Sequence, residues 1–151
     1  MPAKQTPQPI FSGQFRHTMD DKKRVTIPSR WRKGKADEFF VVPDQSDSFL
    51  LVMPPDEFQK VSAEVAANAG ISAQEKRIFV RQFYSRAHTS TADAQGRLVL
   101  PDDHCRQVGL RKEVVLVGIL QRFEIWSPER WARVEASGKP TYQKVADIVG
   151  L

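Results

Sequence analysis

The chain has 151 residues, 40% of them hydrophobic, a net charge of +5 and a single cysteine, Cys105. That is enough for one compact domain or two small ones. It excludes an internal disulfide, and its longest apolar run, Val114 to Leu120, is far too short to span a membrane.

No charged-then-apolar leader opens the sequence, so a cytosolic location is the default expectation. Residues 1–10, MPAKQTPQPI, set three prolines among polar spacers and read as a disordered arm. Gln14 to Met19 alternates, with Phe15, His17 and Met19 on one face and Arg16 and Thr18 on the other. Val25 and Ile27 continue the alternation in a second strand. Pro28 then suits the first turn of a short helix, Ser29 to Lys33, stopped near Gly34. Phe39–Val42 and Phe49–Met53 read as a hairpin across the loop PDQSDS. Pro55 to Ala69 places Phe58, Val61 and Val65 on one helical face. Ser72-Ala73-Gln74-Glu75 has the form of a capping box. The helix it opens repeats Phe79, Val80, Phe83 and Tyr84 at helical spacing, a stripe suited to a core or a subunit interface. His88–Ala92 and Leu98–Leu100 form another hairpin, and Pro101 opens a short helix ending near Gly109. Val114–Val117 and Phe123–Trp126 pair across GILQR. Ser127 is a good N-cap and Pro128 a good first helical residue, leaving 132–151 as a C-terminal helix or tail.

These elements come in two copies. DDKKRVTIP, Asp20 to Pro28, returns as DAQGRLVLP, Asp93 to Pro101, at an offset of 73 residues. The same offset carries Val41 onto Val114, Val52 onto Ile125, Pro55 onto Pro128 and Phe58 onto Trp131. The chain therefore divides into a first unit at 14–58, connecting helices at 59–86 and a second unit at 87–131. A unit this small buries little core alone, but two packed together cover what each leaves exposed.

Charge is segregated along the chain. Residues 1–35 carry net +7, residues 36–75 net −7, residues 76–112 net +5 and the remainder is neutral. Such blocks let one face meet a polyanion and another meet a basic copy of the same chain.

In each copy an Asp precedes an Arg by four residues. Asp93-Ala94-Gln95-Gly96 is the recipe for a three-residue hairpin loop, with the Asp carboxylate accepting backbone N–H groups and Gly in the left-handed position. Asp20 and Asp93 are therefore expected to support their turns. In the first copy Lys23 stands in the glycine position, where a left-handed backbone costs about 1–2 kcal/mol. Across the first hairpin Asp20 is expected to pair with Arg24, Met19 with Val25, Thr18 with Thr26 and His17 with Ile27. Arg16 and Arg24 then point outward beside Lys22 and Lys23, four cations at one hairpin end. A two-stranded ribbon fits the major groove of double-stranded DNA, and an Arg can take two bonds from a guanine edge. Arg24, surrounded by positive charge, is the foremost DNA-binding candidate. Arg97 has Gln95 and Gly96 where the first copy has lysines, and Thr89 where it has Arg16. Arg24 is thus expected to carry more of the binding than Arg97.

Other candidates are thinner. His104-Cys105 lacks further ligands at metal spacing, and His17 and His88 read as satisfied half-buried strand residues. No phosphate loop and no catalytic constellation stands out, so neither an enzyme, a cofactor nor a small-molecule substrate is expected.

Two Asp-x-x-x-Arg hairpins, each followed by apolar-x-apolar-Pro, with FSGQF before the first and RFEIWSPERW after the second, resemble the MraZ family from Phe11 to about Trp131. The resemblance implies an α+β fold, a duplicated AbrB-like swapped-hairpin β-barrel made of two SpoVT/AbrB-type units. It also implies a ring-shaped homo-oligomer, associated with the nucleoid. Such a protein regulates transcription by binding short direct DNA repeats upstream of the division and cell wall gene cluster. It assigns Asp20, Arg24, Asp93 and Arg97 to the DNA-binding surface. Lys23 departs from the glycine common in the family's first motif, and the ten residues before Phe11 exceed the usual start. A reading from another class stays open: an oligomeric scaffold whose basic hairpins bind acidic protein surfaces.

Overall fold

The computed structural model describes residues 9–151. Of the expected arm, residues 1–8 lie outside the described residues. The fold is α+β. Its strands are β1 (Gln14–Thr18), β2 (Arg24–Thr26), β3 (Glu38–Pro43), β4 (Leu50–Met53), β5 (His88–Thr91), β6 (Arg97–Val99), β7 (Glu113–Gly118) and β8 (Phe123–Trp126). Its helices are α1 (Pro55–Ala67), α2 (Ala73–Ser85), α3 (Asp102–Gln107) and α4 (Pro128–Ile148), with a 3-10 turn at Ser29–Trp31. Six strands form one antiparallel sheet in the order β1-β7-β8-β4-β3-β5, and β2 and β6 form a separate ribbon.

The hairpin loops form, but the strands leaving them part company. Asp20 N–H donates to the Arg24 carbonyl at 3.1 Å, which closes the first loop. One residue earlier, Met19 N–H donates instead to the Lys112 carbonyl at 2.7 Å. β1 runs along β7, with Thr18 opposite Glu113 and His17 opposite Val114. β2 pairs with β6, with Arg24 opposite Val99, Val25 opposite Leu98 and Thr26 opposite Arg97. The expected pairings of Met19 with Val25, Thr18 with Thr26 and His17 with Ile27 are therefore not made. Alternation fixes which face of a strand is apolar and not which strand lies beside it. The partner is chosen by the core: Val25 and Ile27 are buried together with Leu98 and Leu100 of the other copy. This is the duplicated swapped-hairpin arrangement.

One core serves both copies. Phe11, Trp31, Phe39 and Phe123 cluster with ring centroids 5.1–6.3 Å apart, and Trp31 Nε1 donates to the Ser12 carbonyl at 3.1 Å. Drawing Trp31 inward shortens the expected Ser29–Lys33 helix to its 3-10 turn, because Arg32 is already extended at φ −91° and ψ 134°. A smaller core lies under α1 and α2, where Val42, Met53 and Phe58 meet Phe40, Val61, Phe83 and Tyr84. Tyr84 pins the two helices, donating to the Phe58 carbonyl at 2.8 Å and accepting from Ser62 N–H at 3.0 Å. The expected aromatic stripe thus divides: Phe83 and Tyr84 are half-buried against this core, while Phe79 and Val80 stay 39% and 37% exposed. The capping box forms as read, with Ser72 and Glu75 each accepting from the other's backbone N–H. Ser127 caps α4, and Pro128 is the helix's first residue.

The repeat offset is not uniform. β2 and β6, and β4 and β8, keep the 73-residue offset. Yet Thr18 faces Glu113 where Thr91 faces Glu38, so β3 and β7 are 75 apart. Val114 consequently takes the place of Phe39, and Val41 matches Leu116 rather than Val114. Two extra residues around α3 are returned in the shorter β7–β8 turn. A slip of two preserves the side-chain period, so the inward set stays inward.

Because the core is shared, the chain should unfold as one unit. Leu98→Ala should cost roughly 2–5 kcal/mol, with far-ultraviolet circular dichroism and tryptophan fluorescence giving coincident denaturation curves. Two separable transitions would show that the copies fold independently.

Candidate functional site

The two turns are built alike. Asp20 Oδ1 accepts from the backbone N–H of Lys22 at 3.0 Å and of Arg24 at 2.9 Å, while Oδ2 accepts from Arg24 Nε at 2.6 Å. Asp93 does the same for Gln95 at 3.0 Å, Arg97 N–H at 2.9 Å and Arg97 Nε at 2.8 Å. The backbone N–H of Arg24, with the other donors behind it, holds the Asp20 carboxyl below its ordinary pKa; Arg97 N–H does so for Asp93. Each Asp spends its oxygens on shaping the turn and on fixing the Nε side of its arginine. The arginine side chains remain 25% and 32% exposed. Gly96 has φ +78° and Lys23 has φ +59°, so lysine adopts the left-handed conformation the turn demands.

The exchange of strands brings Arg24 and Arg97 together. They lie on β2 and β6 of one ribbon, whose inner face is Val25 and Leu98 and whose outer face is Arg24, Thr26, Arg97 and Val99. Arg24 is opposite Val99 and Arg97 opposite Thr26, so the arginines are diagonal neighbours with α-carbons about 7–8 Å apart. Val99 between them is 45% exposed. The ribbon that presents cations is thus formed by one strand from each copy, not by a single hairpin.

Lys22 and Lys23 stand at the Asp20 end of this ribbon. Lys23 Nζ lies 4.0 Å from Asp102 Oδ1. Arg16 is elsewhere. It sits opposite Val115 on β1, on the same strand face as Gln14, which holds Trp131 and Glu135 of α4 by hydrogen bonds of 3.0 and 2.6 Å. Two residues that the linear reading did not single out meet the turns: Lys112, whose carbonyl accepts Met19 N–H beside Asp20, and Arg32, whose side chain lies against Gly96. They come from the opposite copy each time, so no spacing along the chain could reveal them.

The remaining candidates hold no constellation. Cys105 is buried, and burial pushes its thiol up to about 11. His88 is exposed and 6.4 Å from the His104 ring. His17 is not satisfied as expected: its Nε2 is enclosed with no partner among the described residues, and burial lowers its pKa. Among the described residues no three His, Cys, Asp or Glu side chains come together as metal ligands.

The lowered carboxyl pKa values carry a pH dependence. A carboxylate stabilised in the folded state contributes fully above its unfolded value, about 3.9, and that contribution is lost as pH falls through the lower folded value. The melting temperature should therefore drop with acid below about pH 4, and Asp20→Asn with Asp93→Asn should flatten that limb. An unchanged acid limb in the double variant would remove the turns as its source.

Comparison with known proteins follows the same duplication. A family model described as MraZ protein matches the chain twice, over residues 10–82 and 83–147; each match contains one Asp-x-x-x-Arg turn. A protein of Desulforamulus reducens named transcriptional regulator MraZ is 36% identical over 140 residues, covering 93% of this chain and 97% of its own. Proteins of the same name from Symbiobacterium thermophilum and Carboxydothermus hydrogenoformans are 36% and 37% identical over 139 and 138 residues, covering 92% and 91% of this chain and 99% and 95% of theirs.

Proposed function

The chain belongs to the MraZ family, and from that premise we propose that it is a DNA-binding regulator of transcription whose reading head is the β2–β6 ribbon. The observation that carries this reading is the pair of Asp-held arginines on one exposed ribbon face. A two-stranded ribbon enters the major groove, and an arginine held at Nε has its terminal nitrogens free to bridge O6 and N7 of guanine. Thr26 and Val99 between them supply a hydroxyl and an apolar contact to base edges. Lys22 and Lys23 take phosphates at one end. Arg16, on the α4 side, is left outside this contact. The operator that the family resemblance supports is a set of short direct repeats upstream of the division and cell wall genes, and the site of action is the nucleoid in the cytoplasm. No helix among the described residues is long and apolar enough to cross a membrane.

The units at 14–58 and 87–131 make the reading head, while the helices at 59–86 and 132–151 assemble it. α2 exposes Ile78, Phe79 and Val80, and α4 exposes Val134, Tyr142, Val145 and Ile148. Such faces suit a closed homo-oligomer, and a ring would let several ribbons engage several repeats at once.

Sequence selection from a random DNA pool, followed by titration of the selected duplex, tests the reading. Arg24→Ala and Arg97→Ala should each cost about 1–3 kcal/mol per engaged subunit. The two losses should be comparable because the two sites are built alike, although the charge blocks of the linear sequence favour Arg24. Each variant must keep its assembly state. Unchanged binding in both would favour a scaffold that binds acidic proteins. Light scattering at micromolar concentration should show a multimer, and a monomer there would sink the ring.

A further inference from the structure

We infer that Arg32 is the phosphate-binding cation of the second turn, supplied by the first copy to an end of the ribbon that has no lysine of its own. The inference rests on the DNA reading above. It starts from a mismatch between the copies: Lys22 and Lys23 of the first turn correspond to Gln95 and Gly96 of the second. Taken along the chain, this leaves the second turn without a cation beyond Arg97.

In space the gap is filled. A Cβ built on Gly96 would come within 2.7 Å of Arg32 Cδ and Cζ. The Arg32 side chain therefore lies directly over the second turn, in room that only glycine leaves. The first turn shows the converse. There Lys23 carries the cation, its Nζ 4.0 Å from Asp102 at the start of α3, the helix that also holds Cys105, the residue 73 positions after Arg32. A small residue from the neighbouring copy accompanies lysine in the first turn, and a long cationic one accompanies glycine in the second. Each end of the ribbon thus receives one cation over its left-handed residue, by opposite routes.

Arg32 is also poised for an anion. Its Nε is enclosed without a hydrogen-bond partner, and among the described residues no carboxylate stands within ion-pair distance of it. Held by packing with Nη1 against Gly96, the guanidinium makes no hydrogen bond through its terminal nitrogens among the described residues, and a phosphate is the kind of acceptor such a group takes. Lys33 and Lys35 follow it in the same exposed loop, and Asp37, at the end of that loop, accepts Ala92 N–H at 2.8 Å. The loop's cations are thereby tied to the second turn although they belong to the first copy's sequence.

The test is the salt dependence of binding to a random-sequence duplex, measured on the full chain with assembly and melting temperature checked. Arg32→Gln should reduce the slope of log affinity against log salt by about 0.9 per engaged subunit, and Arg32→Lys should restore it. A residue that merely packs over Gly96 would lower the melting temperature and leave the slope alone, which overturns the inference. Lys22→Gln, which removes a phosphate cation of the first turn, is the control: a slope reduced by Lys22→Gln but untouched by Arg32→Gln removes Arg32 alone. Slopes untouched by both remove the DNA reading and this inference with it. Should Arg32→Gln fail to fold, exposed Gln95 reads the same phosphate. Gln95→Lys should steepen the slope and Gln95→Glu flatten it, and indifference to both overturns the proposal.

Discussion

β2 has three residues and no partner in its own copy. Its hydrogen bonds go to β6, and the rest of the molecule follows from that exchange. Among the described residues, four of the six ladders join one copy to the other, and only β3–β4 and β7–β8 are internal. Neither copy encloses a core without its twin, since Val25 and Ile27 need Leu98 and Leu100, and Trp31 needs Phe123. The hydrophobic effect rewards area removed from water, and interleaving removes it on both sides of each short strand. Hydrogen bonding and burial thus favour the same exchange.

The turns answer a second constraint. A strand that leaves its hairpin at once to pair elsewhere needs a loop that keeps its shape without a ladder behind it. The Asp carboxylate supplies this, gathering two backbone N–H groups and one guanidinium nitrogen in each turn. Its effect on the arginine is a second benefit. A side chain as long as arginine loses rotamer entropy when it binds, and fixing Nε beforehand reduces what remains to be lost. Lys23 shows how firmly the loop is imposed, because it takes a left-handed backbone at a cost of about 1–2 kcal/mol where the second copy uses glycine.

Much of this was legible in the sequence, for identifiable reasons. The Ser72–Glu75 box, the Ser127 cap, the Asp93–Gly96 loop and the helix and strand periods are local, and local chemistry determines them. The duplication was legible because the Asp-x-x-x-Arg frame recurs without insertion between turn and proline. The strand partners were not, since the same alternation satisfies pairing within a copy or across copies. The matching of Val41 to Val114 failed because two residues gained near α3 are lost again before β8, so that motifs on either side stay aligned while β7 does not. In the candidate site, Arg24 and Arg97 could be named singly. Their meeting on one face, the removal of Arg16 to the α4 side and the arrival of Arg32 at Gly96 all depend on the exchange.

The ribbon also has a direction. Two identical chains wound together would present a surface with strict two-fold symmetry, which a rod could enter from either end with the same result. Here the two arginines keep that symmetry, diagonal about Val25 and Leu98. The ends do not. One bears Lys22 and Lys23; the other bears Gln95 and Gly96 under Arg32. With both copies in one polypeptide the two ends differ while the arginines stay paired, so the surface has a head and a tail.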